Sequence, residues 1–256
     1  MSSRNDSSIW IYTDADNTLW DTDSVFADAQ MELLASAELI SGRAAQMEGR
    51  LEYLRSYDQA IAKRHHSKLR YPPALLIRAL ALGLQGVPAD AAATKVIASG
   101  AIPDATEASA ISKYQTNLAR TPPLLPGVFD GLEDAASHDT PLYIVTEGSV
   151  DSARIRTRDL AIESFISGFL SAVKSPELFF RLKERAAPRQ AVMIGDQPDR
   201  DIRPAHSAGL ATVLIRSRFR PDWHSESDAA LADVIVDRFD SAITWILNKL
   251  EIATQS

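Results

Sequence analysis

Two aspartates one residue apart, Asp14 and Asp16, follow directly on the run Ile9, Trp10, Ile11, Tyr12 and Thr13. A short apolar, β-prone run bounded by polar turn residues predicts a strand buried in a parallel sheet. Open α/β sheets bind ligands beyond the carboxyl ends of their strands, so both aspartates belong at that edge. Alternation along an extended chain points them to the same side. Two like charges held that close repel by roughly 3–4 kcal/mol when partly buried, a cost that a hard divalent cation offsets. Three later segments repeat the pattern. Thr146 follows the run 142–145, Lys174 follows 168–173, and Gly195-Asp196 follows 191–194. Each alone has an ordinary reading, as a turn former, a surface lysine or a tight turn. In one parallel sheet all four segments end at the same edge, and chance poorly explains such a set at consecutive strand ends.

The set meets the needs of phosphoryl transfer, which requires a nucleophile, an acid/base, a cation and donors for the phosphate oxygens. Asp14 can act as the nucleophile through an aspartyl-phosphate, held against the phosphate by Mg²⁺. Asp16 can protonate the leaving oxygen and then activate water. The Thr146 hydroxyl and the Lys174 ammonium can neutralise the transferring group. Asp196 can ligate Mg²⁺, with Asp201 behind it through water or a hydrogen bond.

The elements that must position these residues alternate in type. Helix is expected over 128–137, 150–160, 176–185 and 203–208, between strands at 142–145, 168–173, 191–194 and 211–215. A last strand at 234–236 precedes an amphipathic helix carrying Ile243, Ile246, Leu247 and Leu250. This alternation predicts an α/β fold with a doubly wound parallel sheet. The segment 24–120 is different, rich in Ala, Leu, Gln and Glu at helical spacing with no strand signal. Five helices are expected there: 24–40 with Phe26, Leu33, Leu34 and Ala37 on one face, 44–65 with Met47, Leu51, Leu54 and Ala60, then 74–84, 88–99, and 104–120 opened by an Asp104/Glu107 capping box. The expected domains are therefore 1–23 with 121–256, and an all-helical insertion at 24–120. The Pro-rich stretch 121–127 reads as a stiff connector.

Composition narrows the function. Net charge is −7 with no long basic run, which disfavours nucleic acid and anionic membranes as partners. The chain has no cysteine, so disulfides and thiolate metal sites do not arise. No apolar stretch reaches the length of a membrane span, and the polar segment 1–8 reads as a mobile tail rather than a signal peptide, so a cytoplasmic location is the expectation. A small phosphorylated metabolite is the expected partner, bound by a monomer or homodimer.

Together Asp14-Ala15-Asp16-Asn17-Thr18-Leu19, Thr146, Lys174-Ser175-Pro176 and Gly195-Asp196-Gln197-Pro198-Asp199-Arg200-Asp201 resemble the four motifs of the haloacid dehalogenase-like (HAD) hydrolase superfamily. The resemblance runs from Ile9 to about Val236. It implies a Rossmann-like HAD core, with Asp14 as nucleophile, Asp16 as acid/base, and Mg²⁺ held by Asp14, the Asp16 backbone carbonyl and Asp196. Thr146 and Lys174 would bind phosphate. The helical insertion looks like that superfamily's C1-type cap, whose basic cluster Arg64, His65, His66, Lys68 and Arg70 is either a solvated turn or a contact to a second anionic group. Trp20 either lines the pocket or packs. Glu147 departs from the pattern, since many relatives carry a small polar residue after the threonine, and it receives no role. An acid at position 16 favours phosphate esters over carbon–halogen bonds, because a departing halide needs no proton. The leading expectation is a Mg²⁺-dependent phosphatase. Alternatives are a phosphomutase on a sugar phosphate and a non-catalytic phosphate-binding regulatory protein of the same fold.

Overall fold

The computed structural model describes residues 9–46, 48–67, 71–100, 102–217 and 225–254. The chain divides into two compact units, one of residues 1–22 with 121–256 and one of residues 23–120. Among the described residues no helix is long and apolar enough to cross a membrane.

The first unit is built on six parallel strands: β1 (Trp10–Thr13), β2 (Leu142–Thr146), β3 (Gly168–Ser171), β4 (Ala191–Gly195), β5 (Ala211–Ile215) and β6 (Val234–Val236). Their spatial order is β3-β2-β1-β4-β5-β6. The order reverses direction at β1, which pairs with β2 on one side and β4 on the other. A ligand site is expected outside the strand ends at such a switch point. Side chains alternate across the sheet. Ile11, Ile144, Ile194 and Val213 face one core, shared with Val128 and Leu132 of a helix at Val128–Ser137 and with Phe239, Ile243 and Ile246 of the terminal helix at Phe239–Thr254. Tyr12, Val145 and Met193 face the other, shared with Leu178, Phe179 and Leu182 of a helix at Pro176–Ala186. The sheet is thus covered on both faces, as its near-continuous apolar strands require.

The Pro-rich return segment has a defined task. Leu125 N–H donates to the Leu19 carbonyl at 3.0 Å and Asp21 N–H to the Pro123 carbonyl at 2.9 Å, so residues 121–127 pin the loop that follows β1. The sheet unit departs from expectation in two places. β3 stops at Ser171, leaving residues 172–174 as an irregular lead to Lys174. A short helix at Glu226–Ala229, not anticipated from sequence, precedes β6.

The second unit is all-helical. Its helices, numbered with the rest of the chain, are α1 (Thr22–Ser41), α2 (Arg50–Arg64), α3 (Pro73–Leu84), α4 (Ala89–Ser99) and α5 (Ala105–Leu118). Leu33, Leu34 and Ala37 of α1 are buried, but Phe26 is 41% exposed, contrary to the expected face. α2 begins at Arg50 rather than at 44, because Gly49 takes a left-handed φ of 77° and starts the helix anew. Met47, which was expected on this helix, lies outside the described residues. The capping box of α5 is present in both directions: Asp104 accepts from Glu107 N–H at 2.8 Å, and Glu107 accepts from Asp104 N–H at 2.9 Å. Glu107 also pairs with Arg78 of α3 at 2.6 Å, joining the two helices.

Gly83 marks a close approach of α3 to α2. A Cβ there would overlap the Tyr57 phenol and the Tyr53 hydroxyl; the two hydroxyls already donate to Val87 O at 2.7 Å and Leu80 O at 2.8 Å respectively. Gly→Ala within a helix ordinarily gains up to about 1 kcal/mol. Here overpacking, typically about 1–3 kcal/mol, opposes that gain and disturbs two hydrogen bonds. Gly83→Ala is therefore expected to lower stability by about 1–2 kcal/mol in urea denaturation. An unchanged or raised midpoint would show that the tyrosines yield freely.

Candidate active site

The site grows from the β1 terminus. Asp14 N–H donates to the Ile194 carbonyl at 2.8 Å, so the β1–β4 ladder continues one residue past the strand and fixes the Asp14 backbone. The chain then turns. Asn17 adopts φ 58°, and its N–H donates to the Trp20 carbonyl at 2.8 Å. This turn separates the environments of the two aspartates: Asp14 is 8% exposed at its side chain and Asp16 is 43% exposed.

Asp14 meets Lys174, whose ammonium donates to Asp14 Oδ1 and, at 2.5 Å, to Asp201 Oδ1. Lys174 is buried, and Asp201 is wholly so. Asp196 completes the group: one carboxylate oxygen each from Asp14, Asp196 and Asp201 lie within 4.8 Å of one another. Asp201 reaches this position through a π-helical turn at Pro198–Ile202, a form that often marks functional sites. Its second oxygen accepts Gln197 N–H at 3.0 Å. Gly195 is required here, since a Cβ at that position would overlap the Asp201 carboxyl group.

Three buried carboxylates are gathered beside the Lys174 ammonium in a low-dielectric space. Burial pushes the Asp14 carboxyl up to about 7, against the pull of Lys174, and the Asp201 charge adds to the rise. Burial also opposes the charge on Lys174, but Asp14 and Asp201 outweigh it and keep the ammonium protonated. The donor set is all hard carboxylate oxygen, confined to a space that can share one ion, and it fits a divalent cation such as Mg²⁺. The Asp16 backbone carbonyl would be a fourth oxygen from the same turn.

The structure treats the remaining expected residues individually. Thr146 ends β2, and its hydroxyl accepts Gly148 N–H at 2.9 Å, shaping the turn after the strand. Glu147, which received no role from sequence, accepts the Lys174 backbone N–H at 3.2 Å and pairs with Arg200 at 3.0 Å. It thereby ties together the turns after β2, β3 and β4. Trp20 is fully buried, and its indole N–H donates to Asp16 Oδ1 at 2.7 Å. Arg156, on the helix Val150–Asp159, pairs with the same oxygen at 3.3 Å. Nothing local marks Arg156 in the sequence, because the contact spans 140 positions. In the helical unit, Arg64 pairs with Asp90 at 2.9 Å and the His65 and His66 rings stack 4.3 Å apart. Lys68 and Arg70 of that basic cluster lie outside the described residues.

Residues 171–242, which include Lys174, Asp196 and Asp201, match the family model described as HAD-hydrolase-like. This segment of the chain is similar to the HAD-like hydrolases. Its sequence is 36% identical over 66 residues to the glyceraldehyde 3-phosphate phosphatase of Methanopyrus kandleri, a match covering 25% of this chain and 28% of that protein. The chain thus spans about a quarter of that curated relative's length. Similar solved structures include a haloacid dehalogenase-like hydrolase of Xanthomonas campestris, with TM-score 0.61 and 15% identity over 100% of this chain and 98% of the other. They also include YfnB of Bacillus subtilis, a protein assigned to the HAD hydrolases and bound to magnesium, with TM-score 0.58 and 18% identity over 94% of this chain and 98% of that one. At such identities these structures establish the fold alone.

Cation binding should reveal itself in stability. Without metal, the folded chain holds the Asp14 proton to about pH 7, whereas the unfolded chain releases it near the ordinary 3.8. The folded state then binds more protons across that window, so this group lowers stability as pH rises from about 4 to about 7. In EDTA, Asp14→Asn should flatten that part of the Tm-against-pH profile. At pH 7.5, Mg²⁺ at about 100-fold above its Kd should add roughly 2.7 kcal/mol. A Tm that Mg²⁺ leaves unmoved would remove the metal assignment.

Proposed function

We propose that this chain is a HAD-like hydrolase, a Mg²⁺-dependent phosphatase that cleaves a small phosphate monoester through an aspartyl-phosphate on Asp14. The observation that carries this reading is the contrast between Asp14 and Asp16. One carboxylate is buried against a lysine within a cluster that can hold a cation. The other, two residues beyond it, is 43% exposed at its side chain. Two carboxyl groups in environments this different are suited to separate tasks, nucleophile and acid/base.

In this reading Lys174 orients Asp14 and neutralises charge on the transferring group, with the Thr146 hydroxyl as a further donor to its oxygens. An Asp14 oxygen attacks phosphorus while the ester P–O bond breaks, and the departing oxygen takes its proton from Asp16. In the second half-reaction the Asp16 carboxylate takes a proton from water, whose oxygen attacks phosphorus and releases Asp14 and inorganic phosphate. Bound Mg²⁺, held by Asp14, Asp196 and the Asp16 carbonyl with Asp201 beside them, would supply positive charge to the phosphoryl oxygens. The presence of Asp16 supports esters with an alkoxide leaving group, the class to which glyceraldehyde 3-phosphate belongs. The inserted helical unit is the segment proposed to select among such substrates.

Turnover of p-nitrophenyl phosphate with Mg²⁺, and its loss in EDTA, tests the activity. Asp16→Asn tests the two steps. Loss of a general acid/base costs about 10²–10⁴ in rate. A nitrophenolate departs readily without protonation, so phosphorylation of Asp14 should persist while hydrolysis of the aspartyl-phosphate stalls. The variant should release about one nitrophenolate per active site and then slow sharply, as an accumulating covalent intermediate requires. Intact mass after acid quench should show the added phosphoryl group. A label mapped to another residue, or full steady-state turnover by Asp16→Asn, would overturn these roles.

A further inference from the structure

Three donors converge on a single oxygen of Asp16. Trp20 Nε1 and Thr22 Oγ1 each lie 2.7 Å from Oδ1, and Arg156 Nη1 lies 3.3 Å from it. None of the three is directed to Oδ2. A carboxyl oxygen has a limited set of acceptor sites, and three donors occupy those of Oδ1. Trp20 cannot shift to relax this arrangement. It is fully buried, and it bridges in antiparallel fashion to Leu124 of the return segment. The Arg156 guanidinium carbon in turn lies 6.0 Å from the centroid of the Trp20 ring, within cation–π range. Arg156 is the one charged member of the trio and the one not on the segment that carries Asp16. Its helix starts directly after β2, where the Ser149 side chain caps it, so the arginine is positioned by the strand adjacent to β1.

We infer that Arg156 is a positioning residue for Asp16: with Trp20 and Thr22 it anchors Oδ1, so that Oδ2 is the oxygen that gives a proton to the leaving group and later takes one from water. This inference rests on the phosphatase reading above and deepens it. Arg156 need not touch substrate. Its effect passes through the orientation of one carboxyl group, and misplacing a catalytic group by about 1 Å can cost about 100-fold.

The test uses the full chain with Mg²⁺ and two aryl phosphates, p-nitrophenyl phosphate and phenyl phosphate, in rapid-quench single turnovers. Phenolate needs protonation on departure far more than nitrophenolate does. Arg156→Ala should slow phosphorylation by phenyl phosphate by about 10- to 100-fold, while p-nitrophenyl phosphate loses at most about threefold. Arg156→Lys, which keeps the charge without the planar fork, should restore part of the loss. The double variant Arg156→Ala/Asp16→Asn should be no slower than Asp16→Asn alone, because the arginine acts only through that carboxylate. The Mg²⁺-induced rise in Tm should be the same in Arg156→Ala as in the parent chain. Equal losses on both esters, additive losses in the double variant, or a diminished Mg²⁺ shift would overturn the positioning role while leaving the phosphatase reading intact. Absence of aryl-phosphate turnover in the parent chain would overturn both.

Discussion

The contact between the Lys174 ammonium and the carboxylates of Asp14 and Asp201 is the constraint on which the rest of the unit depends. Three buried acids within 4.8 Å of one another would each repel the others by roughly 3–4 kcal/mol at an effective dielectric of 20. One lysine compensates part of this, and only if three strand ends and a π-helical turn deliver their groups to one point. The parallel sheet does this because every strand runs in the same direction to the same edge. Gly195 does it by leaving the Asp201 carboxyl group room to fold back against β4. The crowding of acidic groups is therefore built into the fold, and a bound cation would relieve it.

The strand order also explains why neighbouring aspartates part company. Asp14 is still within the ladder, tied to the Ile194 carbonyl, so its side chain enters the buried edge. Two residues later, just before the left-handed Asn17 turns the chain, Asp16 stands 43% exposed at its side chain, bonded to Trp20 and Arg156. Both carboxylates come from one short loop, yet one sits where burial favours the neutral form and the other where solvent and donors are at hand. Cleavage of a phosphate ester needs one group facing the phosphorus and another facing the leaving oxygen, and a single turn is a short way to supply both.

How far this was legible in the sequence depends on whether the determinant was local. The apolar run before Asp14 and the Gly195-Asp196 pair carry their own strand-and-turn signals, and the Asp104/Glu107 box caps its helix as its spacing indicates. Gly49 restarts a helix that Ala- and Glu-rich composition alone would have begun earlier, because backbone handedness outweighs propensity there. Phe26 fitted an apolar face by periodicity but stays exposed, since period says which residues share a face and not whether something covers it. Arg156 was invisible for a plainer reason. A helix residue finds its partner 140 positions away through the folded sheet, and no spacing rule spans that distance.

Glu147 shows the same limit from the opposite side. A carboxylate immediately after the threonine at the β2 end is unfavourable beside an anionic substrate unless it points away or pairs with a cation, and the sequence alone assigns it no role. In the structure its two oxygens are taken by the Arg200 guanidinium and the Lys174 backbone N–H. The guanidinium cancels its charge, and the backbone bond fixes the chain at the residue whose ammonium must reach Asp14 and Asp201. Arg200 belongs to the π-helical turn that carries Asp201, so one ion pair links the threonine turn, the lysine and the distal aspartate. The extra carboxylate is thus a clip between site-bearing loops, and its cost in repulsion is met by the arginine that the same turn supplies.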